Sequence, residues 1–372
     1  MHFGLSDEQL LLQDVFRSYL AERVPIARVR ALSEADTPEF GAETGALWSE
    51  LAQLGAPGVL IPEAYGGSGL TLLDASLVAQ ELGRAVTPAP FLATAVMAPL
   101  ALLEAGTPEQ QRDWLPKIAT GSLRLGVAAT ETYSSRENAR AWLEGGKLRG
   151  RALMALDAVG ADAFLVAAGP SDLLLVEAGA AGLGVVPLCA VDRTRGIAEL
   201  VFDAVTPSAV LGGPGGAARA IERMLDAGRV VLTGDIVGAC DAMLDQALEY
   251  AGQRKQFGRV IGSFQAVKHM CAEMAAELEP TRSIFWYAAH AFDELPDRSG
   301  LIVAHAKAHA SEMGVFVARA ATEVHGGVGF TDEQNLHVWF KRIGVDRHYL
   351  GSPDILRARA ARLQGWPACA AL

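Results

Sequence analysis

A mainly helical chain interrupted by one small β domain is the fold class this sequence predicts, and three observations predict it. The first third carries helix-start signals ahead of apolar residues spaced three and four apart. From about Leu125 to Val205 the pattern changes to short β-prone runs separated by Gly, Pro or Asp. Beyond Gly215 the helical spacing returns in long segments. The expected division is an N-terminal helical domain over 1–122, a middle antiparallel β sandwich or barrel over 123–214, and a C-terminal four-helix bundle over 215–372.

Taken in order, Ser6 and Gln9 form an S-x-x-Q capping box before the run Leu10, Leu11, Val15, Phe16 and Leu20, which marks a first helix. Ala46 to Leu54 and Thr71 to Leu82 read as short amphipathic helices. The loop Pro62-Glu63-Ala64-Tyr65-Gly66-Gly67-Ser68-Gly69 lies between them, its glycines marking turns. Thr107-Pro108-Glu109-Gln110 repeats the capping box with proline at the first helical position. The strands are expected in LGVAAT, AFLVAA, LLLVE, LGVVPL and AELVF. Long helices follow over Ala217 to Gly252, Phe264 to Asp293 and Leu301 to His325, with the turn ELPDRSG before the third. A last helix is expected near Pro353 to Leu363.

The 372 residues are 51% hydrophobic and only 20% charged, with a net charge of -11, so much apolar surface must be hidden. No apolar run approaches the roughly 18 residues of a membrane-spanning helix, and the start, with Asp7 and Glu8, does not read as a signal peptide. A cytoplasmic location is therefore expected, with a large subunit interface as the place where the apolar surface goes. The acidic balance, without a Lys/Arg stripe, argues against a nucleic-acid partner. Cys189, Cys240, Cys271 and Cys369 lie far apart, which argues against a disulfide framework and a zinc site.

Three motifs in order, PEAYGGSG with LVAQELGR and TPAPF after it, Arg254-Lys255-Gln256-Phe257-Gly258 with Phe264-Gln265, and Glu323-Val324-His325-Gly326-Gly327-Val328-Gly329-Phe330-Thr331, resemble the acyl-CoA dehydrogenase family over essentially the whole chain. That resemblance implies an FAD-dependent flavoprotein acting on an acyl-CoA thioester, with electron-transfer flavoprotein as acceptor. In the family the second and third motifs reach across a subunit interface to the FAD of the neighbouring chain. It thereby implies cofactor contacts at Arg254, Gln256, Phe257, Gln265, Glu323, Gly326 and Gly327. The residue types suit the task. Arg254 can pair with a pyrophosphate, Phe257 offers an aromatic face, and Gly326 and Gly327 let the backbone approach closely. The competing reading is that Arg254 only complements a helix end and the glycines only turn the chain.

The family reaction needs a carboxylate base that takes the proton α to the thioester while the flavin N5 takes a hydride from the β carbon. In most members that Glu sits in a Tyr-Glu-Gly-Thr turn after the third motif, where this chain reads Tyr349-Leu350-Gly351-Ser352. Others place it before an arginine 25 residues ahead of the RKQFG arginine; here that arginine is Arg229 and the residue before it is Gly228. Both seats lack an ionisable group, so no catalytic residue is assigned. Asp235 lies seven residues beyond Gly228, on nearly the same helix face but about 10 Å further along the axis. It reads better as an aspartate bonded to a helix neighbour, and Glu333 as a solvated charge.

The β domain departs from the family as well. Where members carry a glycine-rich Thr-Glu-Pro-Gly-Ala-Gly-Ser-Asp, this chain has Thr130-Glu131-Thr132-Tyr133-Ser134-Ser135-Arg136-Glu137. The family's Met-Trp-Ile-Thr strand corresponds to Leu153-Met154-Ala155-Leu156, where Met154 and Leu156 can pack on a ring but Leu156 cannot donate to the flavin. Residues that would serve a neighbour's FAD are kept while those for the chain's own flavin and substrate are lost. That pattern resembles the non-catalytic subunit of heteromeric bacterial acyl-CoA dehydrogenases, including those for sterol side chains. A heterotetramer with a homologous subunit and a homotetramer both stay open. So do an FAD-dependent oxidase or monooxygenase of this fold and a flavin-free scaffold.

The remaining signals are weaker. His305 and His309 are four apart on one helix but no third ligand is apparent, so no metal is expected. Phe285, Trp286 and Tyr287 read as core or helix interface, and Arg357, Arg359 and Arg362 as a solvated face.

Overall fold

A computed structural model of the chain describes residues 4–134 and 139–366. Along the chain run α1 (Asp7–Arg23), α2 (Ile26–Glu34), α3 (Thr37–Gln53), α4 (Leu72–Arg84), α5 (Ala98–Ala105) and α6 (Pro108–Ala119). Strands β1 (Leu125–Ala128), β2 (Ala141–Glu144), β3 (Lys147–Ala155), β4 (Ala163–Ala167), β5 (Leu173–Glu177), β6 (Leu183–Pro187), β7 (Ala198–Val205) and β8 (Ala209–Leu211) follow. The C-terminal part holds α7 (Ala218–Gln253), the hairpin β9 (Lys255–Gln256) and β10 (Arg259–Val260), α8 (Gln265–Glu294), α9 (Pro296–His325), α10 (Leu336–Asp346) and α11 (Pro353–Leu363). This is the helical, β, helical order that the sequence predicts.

Both capping boxes form: Ser6 Oγ and Thr107 Oγ1 accept the backbone N–H of Gln9 and Gln110, whose side chains accept the cap N–H in return. α3 begins well before Ala46, because Asp36 caps Glu39 N and Pro38 fills the first turn. α9 also starts early, at Pro296, where proline at the first turn leaves only Leu295 to separate it from α8. α10 carried no clean apolar stripe because its buried face includes Arg342 and Asp346 beside Leu336, Trp339 and Ile343.

The chain divides into two compact units. One comprises residues 28–75 and 88–228 and contains the β domain. Its two sheets have the orders β1-β4-β5-β8 and β2-β3-β7-β6. They share a core of alternate residues, among them Phe164, Val166, Leu174, Val176, Leu148, Leu200 and Phe202. The expected antiparallel pairing holds except for β1 and β4, which run parallel. A parallel pair needs a long connection, and here β2 and β3, which belong to the other sheet, supply it. β4 is buried on both faces, which accounts for its unbroken apolar sequence. Thr94 joins β1 to the buried segment Phe91–Met97, donating to Leu125 O at 3.0 Å and accepting Leu125 N–H at 2.9 Å.

The other unit comprises residues 1–27, 76–87 and 229–372 and holds the bundle. Glycines bring α4 against α7: a Cβ on Gly238 would stand 1.8 Å from Gln80 O, and one on Gly83 2.2 Å from Asp235 O. α1 is fastened to α4 by Arg17, whose Nε and Nη2 reach the buried Glu81 carboxylate at 3.0 and 2.8 Å. α9 and α11 meet through Ala304, Ala308, Leu356 and Ala360. α10 is held from two sides by charge. Arg342, 2% exposed, donates through Nε and Nη2 to the Asp235 carboxylate on α7 at 3.1 and 2.9 Å. Lys307 of α9, wholly buried, donates to Asp346 O at 2.8 Å and to Ser311 Oγ at 3.0 Å.

Asp235 is therefore a structural anion. Asp235→Ala should leave Arg342 buried opposite fewer carboxylates and cost about 3–5 kcal/mol in denaturant unfolding. Removing the exposed Arg112–Glu109 pair should change stability by less than about 0.5 kcal/mol.

Candidate functional site

At one end of the bundle three helix ends lie close together. α7 finishes with Arg254 N–H donating to Tyr250 O at 2.8 Å, and Ile261 N–H then donates to Arg254 O at 2.7 Å, closing the β9–β10 hairpin. Phe257 and Gly258 form its two-residue turn with φ +52° and +78°, the left-handed pair that such a hairpin requires. A phenylalanine in this region is uncommon, and here the ring is 90% exposed. It stands edge-on to Phe264, with centroids 6.1 Å apart, and the Arg259 guanidinium lies 4.0 Å from the centre of the Phe264 ring. Phe264 is the residue before α8, and no side chain caps that helix. Its first N–H groups thus form a positive pole beside Arg254, Lys255 and Arg259.

The third end is that of α9. His325, 5% exposed, stacks on Tyr250 of α7 with centroids 4.4 Å apart and planes 22° apart. Its Nδ1–H donates to Ala321 O at 2.8 Å, and burial lowers its pKa, which keeps the ring neutral near pH 7. The chain then leaves the helix at Gly326, φ +66° and ψ -145°, a conformation nearly confined to glycine. A Cβ at Gly326 or Gly327 would meet nothing within 4 Å, so a space opens over that backbone, flanked by the 77% exposed ring of Phe330.

The Tyr250–His325 stack thus joins the segment that carries Arg254, Gln256, Phe257 and Gln265 to the one that carries Glu323, Gly326 and Gly327, and all seven are exposed. Basic groups, an uncapped helix N-terminus, an exposed aromatic ring and an open backbone are features that a dinucleotide diphosphate with an attached ring system requires. The residues present fit FAD. Gly329 and Phe330 belong to the third motif without an assigned role, and no sequence signal singles out Tyr250.

Elsewhere in the bundle unit lies the turn between α10 and α11. Leu350 is 1% exposed and adopts φ +58°, a conformation that costs a leucine roughly 1–2 kcal/mol. Arg229, 3% exposed, holds it there by donating through Nε to Leu350 O at 2.8 Å. Arg229 directly follows Gly228, so the packing gathers Leu350 and Arg229 from the two segments where the resemblance places alternative base seats. Neither Leu350 nor Gly228 can accept a proton. Asp235 is committed to Arg342, and Glu333 is exposed. His348, two residues before Leu350, is held below the ordinary histidine pKa by burial first and then by Arg347 and Lys307.

In the β domain, Leu153 N–H donates to Glu131 Oε1 at 2.9 Å and Thr130 Oγ1 to Met154 O at 3.4 Å, across a register shift that turns Met154 to φ +56°. Leu156 is 2% exposed and exchanges backbone hydrogen bonds with Val127, so it belongs to the core and not to a ring contact. Ser135, Arg136 and Glu137 lie outside the described residues, as does Cys369; Cys240 and Cys271 are buried and Cys189 is exposed. His309 bonds Thr281 Oγ1 at 3.0 Å while His305 is exposed, and among the described residues no group of three or more His, Cys, Asp or Glu could hold a metal. Phe285 is in the core whereas Tyr287 is 45% exposed, and Arg357 pairs with Glu312. Among the described residues no helix is long and apolar enough to cross a membrane.

Comparison with known proteins places the chain in a family. Residues 6–122 match the family model described as Acyl-CoA dehydrogenase, N-terminal domain, and residues 215–364 that described as Acyl-CoA dehydrogenase, C-terminal domain. The chain is 31% identical to Acyl-CoA dehydrogenase IpdE2 of Mycobacterium tuberculosis over 94% of this chain and 96% of that protein. Among solved structures it is similar to a variant of the Tcur3481–Tcur3483 steroid ACAD, with TM-score 0.85 and 32% identity over 96% and 98% of the two chains. It is also similar to a chain of the ChsE4–ChsE5 complex from Mycobacterium tuberculosis, with TM-score 0.87 and 27% identity over 99% and 100%.

The two glycines should separate by substitution. Gly326→Ala is expected to cost about 1–3 kcal/mol in thermal unfolding through backbone strain alone. Gly327→Ala, with open space and no left-handed φ, should leave stability within about 0.5 kcal/mol.

Proposed function

The chain belongs to the acyl-CoA dehydrogenase family, and from that membership we propose that it is a non-catalytic flavoprotein subunit which completes the FAD site of a homologous partner chain. The single observation that carries the proposal is an asymmetry. The seven residues suited to a neighbour's dinucleotide are exposed together at one end of the bundle, whereas the position for a base is a buried leucine pinned by Arg229.

FAD, when bound, supplies the hydride acceptor for α,β-dehydrogenation of an acyl-CoA thioester. Arg254 would hold a pyrophosphate oxygen by a charge-assisted hydrogen bond, and the amides opening α8 beside Gln265 would add to that field. Phe257 would cover a ring face, and Gly326 and Gly327 would let the main chain approach the dinucleotide. Gln256 and Glu323 would contribute polar contacts at the edges. Leu350 and Gly228 can neither take nor hold a proton, so the α-proton is removed by a carboxylate of the partner. The N-terminal, middle and C-terminal segments 1–122, 123–214 and 215–372 are the three domains of this arrangement.

The likeness to a steroid ACAD and to a two-protein complex supports a heteromeric assembly acting on a bulky polycyclic acyl-CoA; a heterotetramer in the cytoplasm, with electron-transfer flavoprotein as acceptor, completes the proposal. The excess of apolar over charged residues, 51% against 20%, supports a broad subunit interface.

Absorbance spectra of the chain purified alone and co-purified with the product of a neighbouring homologous gene test the proposal. Flavin and dehydrogenase activity are expected only in the co-purified complex; a yellow, active homo-oligomer overturns it. In the complex, Arg254→Ala should weaken flavin binding roughly ten- to a hundredfold, the loss of a charged hydrogen bond. Leu350→Ala should leave the pH dependence of kcat unchanged.

A further inference from the structure

The two groups of candidate residues sit on separate stretches, the hairpin after α7 and the turn after α9, and something must hold them in register. We infer that Tyr250, His325 and Gly329 form a strut that sets this spacing, so that they are positioning residues for the coenzyme; the inference rests on the FAD reading above.

Three observations make the strut. Tyr250 lies one turn before Arg254, whose N–H donates to Tyr250 O, so the ring is anchored at the root of the hairpin. His325 lies directly before Gly326 and stacks on that ring at 4.4 Å and 22°. The imidazole has little freedom, since it is 5% exposed and its Nδ1–H is spent on Ala321 O at 2.8 Å. The turn that follows folds back on the end of α9. A Cβ on Gly329 would lie 2.6 Å from Thr322 O and 2.9 Å from His325 Cβ, so only glycine lets residues 326–330 close down on the histidine. Tyr250 thus packs on the His325 ring and Gly329 against His325 Cβ, so the root of the hairpin and the glycine turn are both tied to one buried histidine.

A dinucleotide that touches both Arg254 and Gly326 needs their separation set before it arrives, since ordering mobile segments at binding costs affinity. A neutral imidazole suits the centre of this contact, because burial disfavours its charged form. Neither ring need touch the coenzyme. Their effect is transmitted through the backbone of residues 250–258 and 325–330.

The test uses the full chain in its co-purified complex, with Tyr250→Ala, His325→Ala and Gly329→Ala against Tyr250→Phe and His325→Phe. Two quantities are read: the flavin dissociation constant by fluorescence titration of the deflavinated complex, and amide exchange in peptides covering 250–264 and 321–332. The alanine variants should each weaken flavin roughly tenfold, the scale of a stacked ring pair, and speed exchange on both sides of the stack. The phenylalanine variants, which keep a ring in the stack, should restore both. Alanine variants that melt earlier but bind flavin as the wild type does would show a merely structural stack and overturn the inference. So would faster exchange confined to the substituted side. A wild-type complex that takes up no flavin, while the alanine variants still loosen both segments, overturns the FAD reading and leaves the strut standing.

Discussion

The bundle depends on a carboxylate that no water reaches freely. Asp235 sits on α7 among glycines that draw α4 to within backbone contact, and at that depth it can stay ionised only opposite a cation. Arg342 answers it with both arms of its guanidinium and so brings α10 down onto α7. Asp346, one turn on, takes Lys307 of α9 through its main-chain oxygen. Two buried cations and two buried anions thus specify where α7, α9 and α10 meet. Everything downstream, including the turn that carries Leu350, starts from the end of α10 that this network holds.

From that frame the two ends of the chemistry differ in kind. The Arg254–Gly258 hairpin and the Gly326–Phe330 turn project aromatic rings and bare backbone outward, at the cost of a left-handed phenylalanine and two exposed rings. Isolated exposed apolar residues are ordinary on protein surfaces, but an exposed ring on a strained turn, beside a positive helix pole, is what a surface built for a charged, flat partner looks like. The Leu350 turn is the reverse. It too is left-handed, yet it is closed off, and its carbonyl rather than a side chain is the group being held. On the proposed reading, strain at Phe257 serves contact with the coenzyme; strain at Leu350 is held by Arg229 within the chain.

That contrast explains why membership of the acyl-CoA dehydrogenase family does not by itself assign a reaction to this chain. Arg229, which follows Gly228, donates to Leu350 O, so the two segments where the resemblance places a base are joined in this fold by an arginine and a leucine. Leu156 shows the same on the β side, where a position that can face a ring in relatives is here a core residue hydrogen-bonded to Val127.

Much of this was legible in the residue order. The capping boxes at Ser6 and Thr107, the return to helix after Gly215, the last helix at Pro353, and the grouping of Arg254 to Gln265 all rest on neighbours within four or so positions, and such local bonds are written directly in the chain. The early starts of α3 and α9 are also written there, in Asp36-Thr37-Pro38 and in Pro296, the latter within the ELPDRSG segment that reads as a turn. What only the tertiary structure decided are the pairings whose partners lie far apart. Asp235 finds Arg342 across 107 residues and Arg229 finds Leu350 across 121. Tyr250 meets His325, and β1 runs parallel to β4 instead of antiparallel. A side chain's charge and size are fixed by its identity, but whether an aspartate is a base or a buried counter-ion depends on what packing places opposite it. Packing is a property of the whole fold, which no local pattern carries.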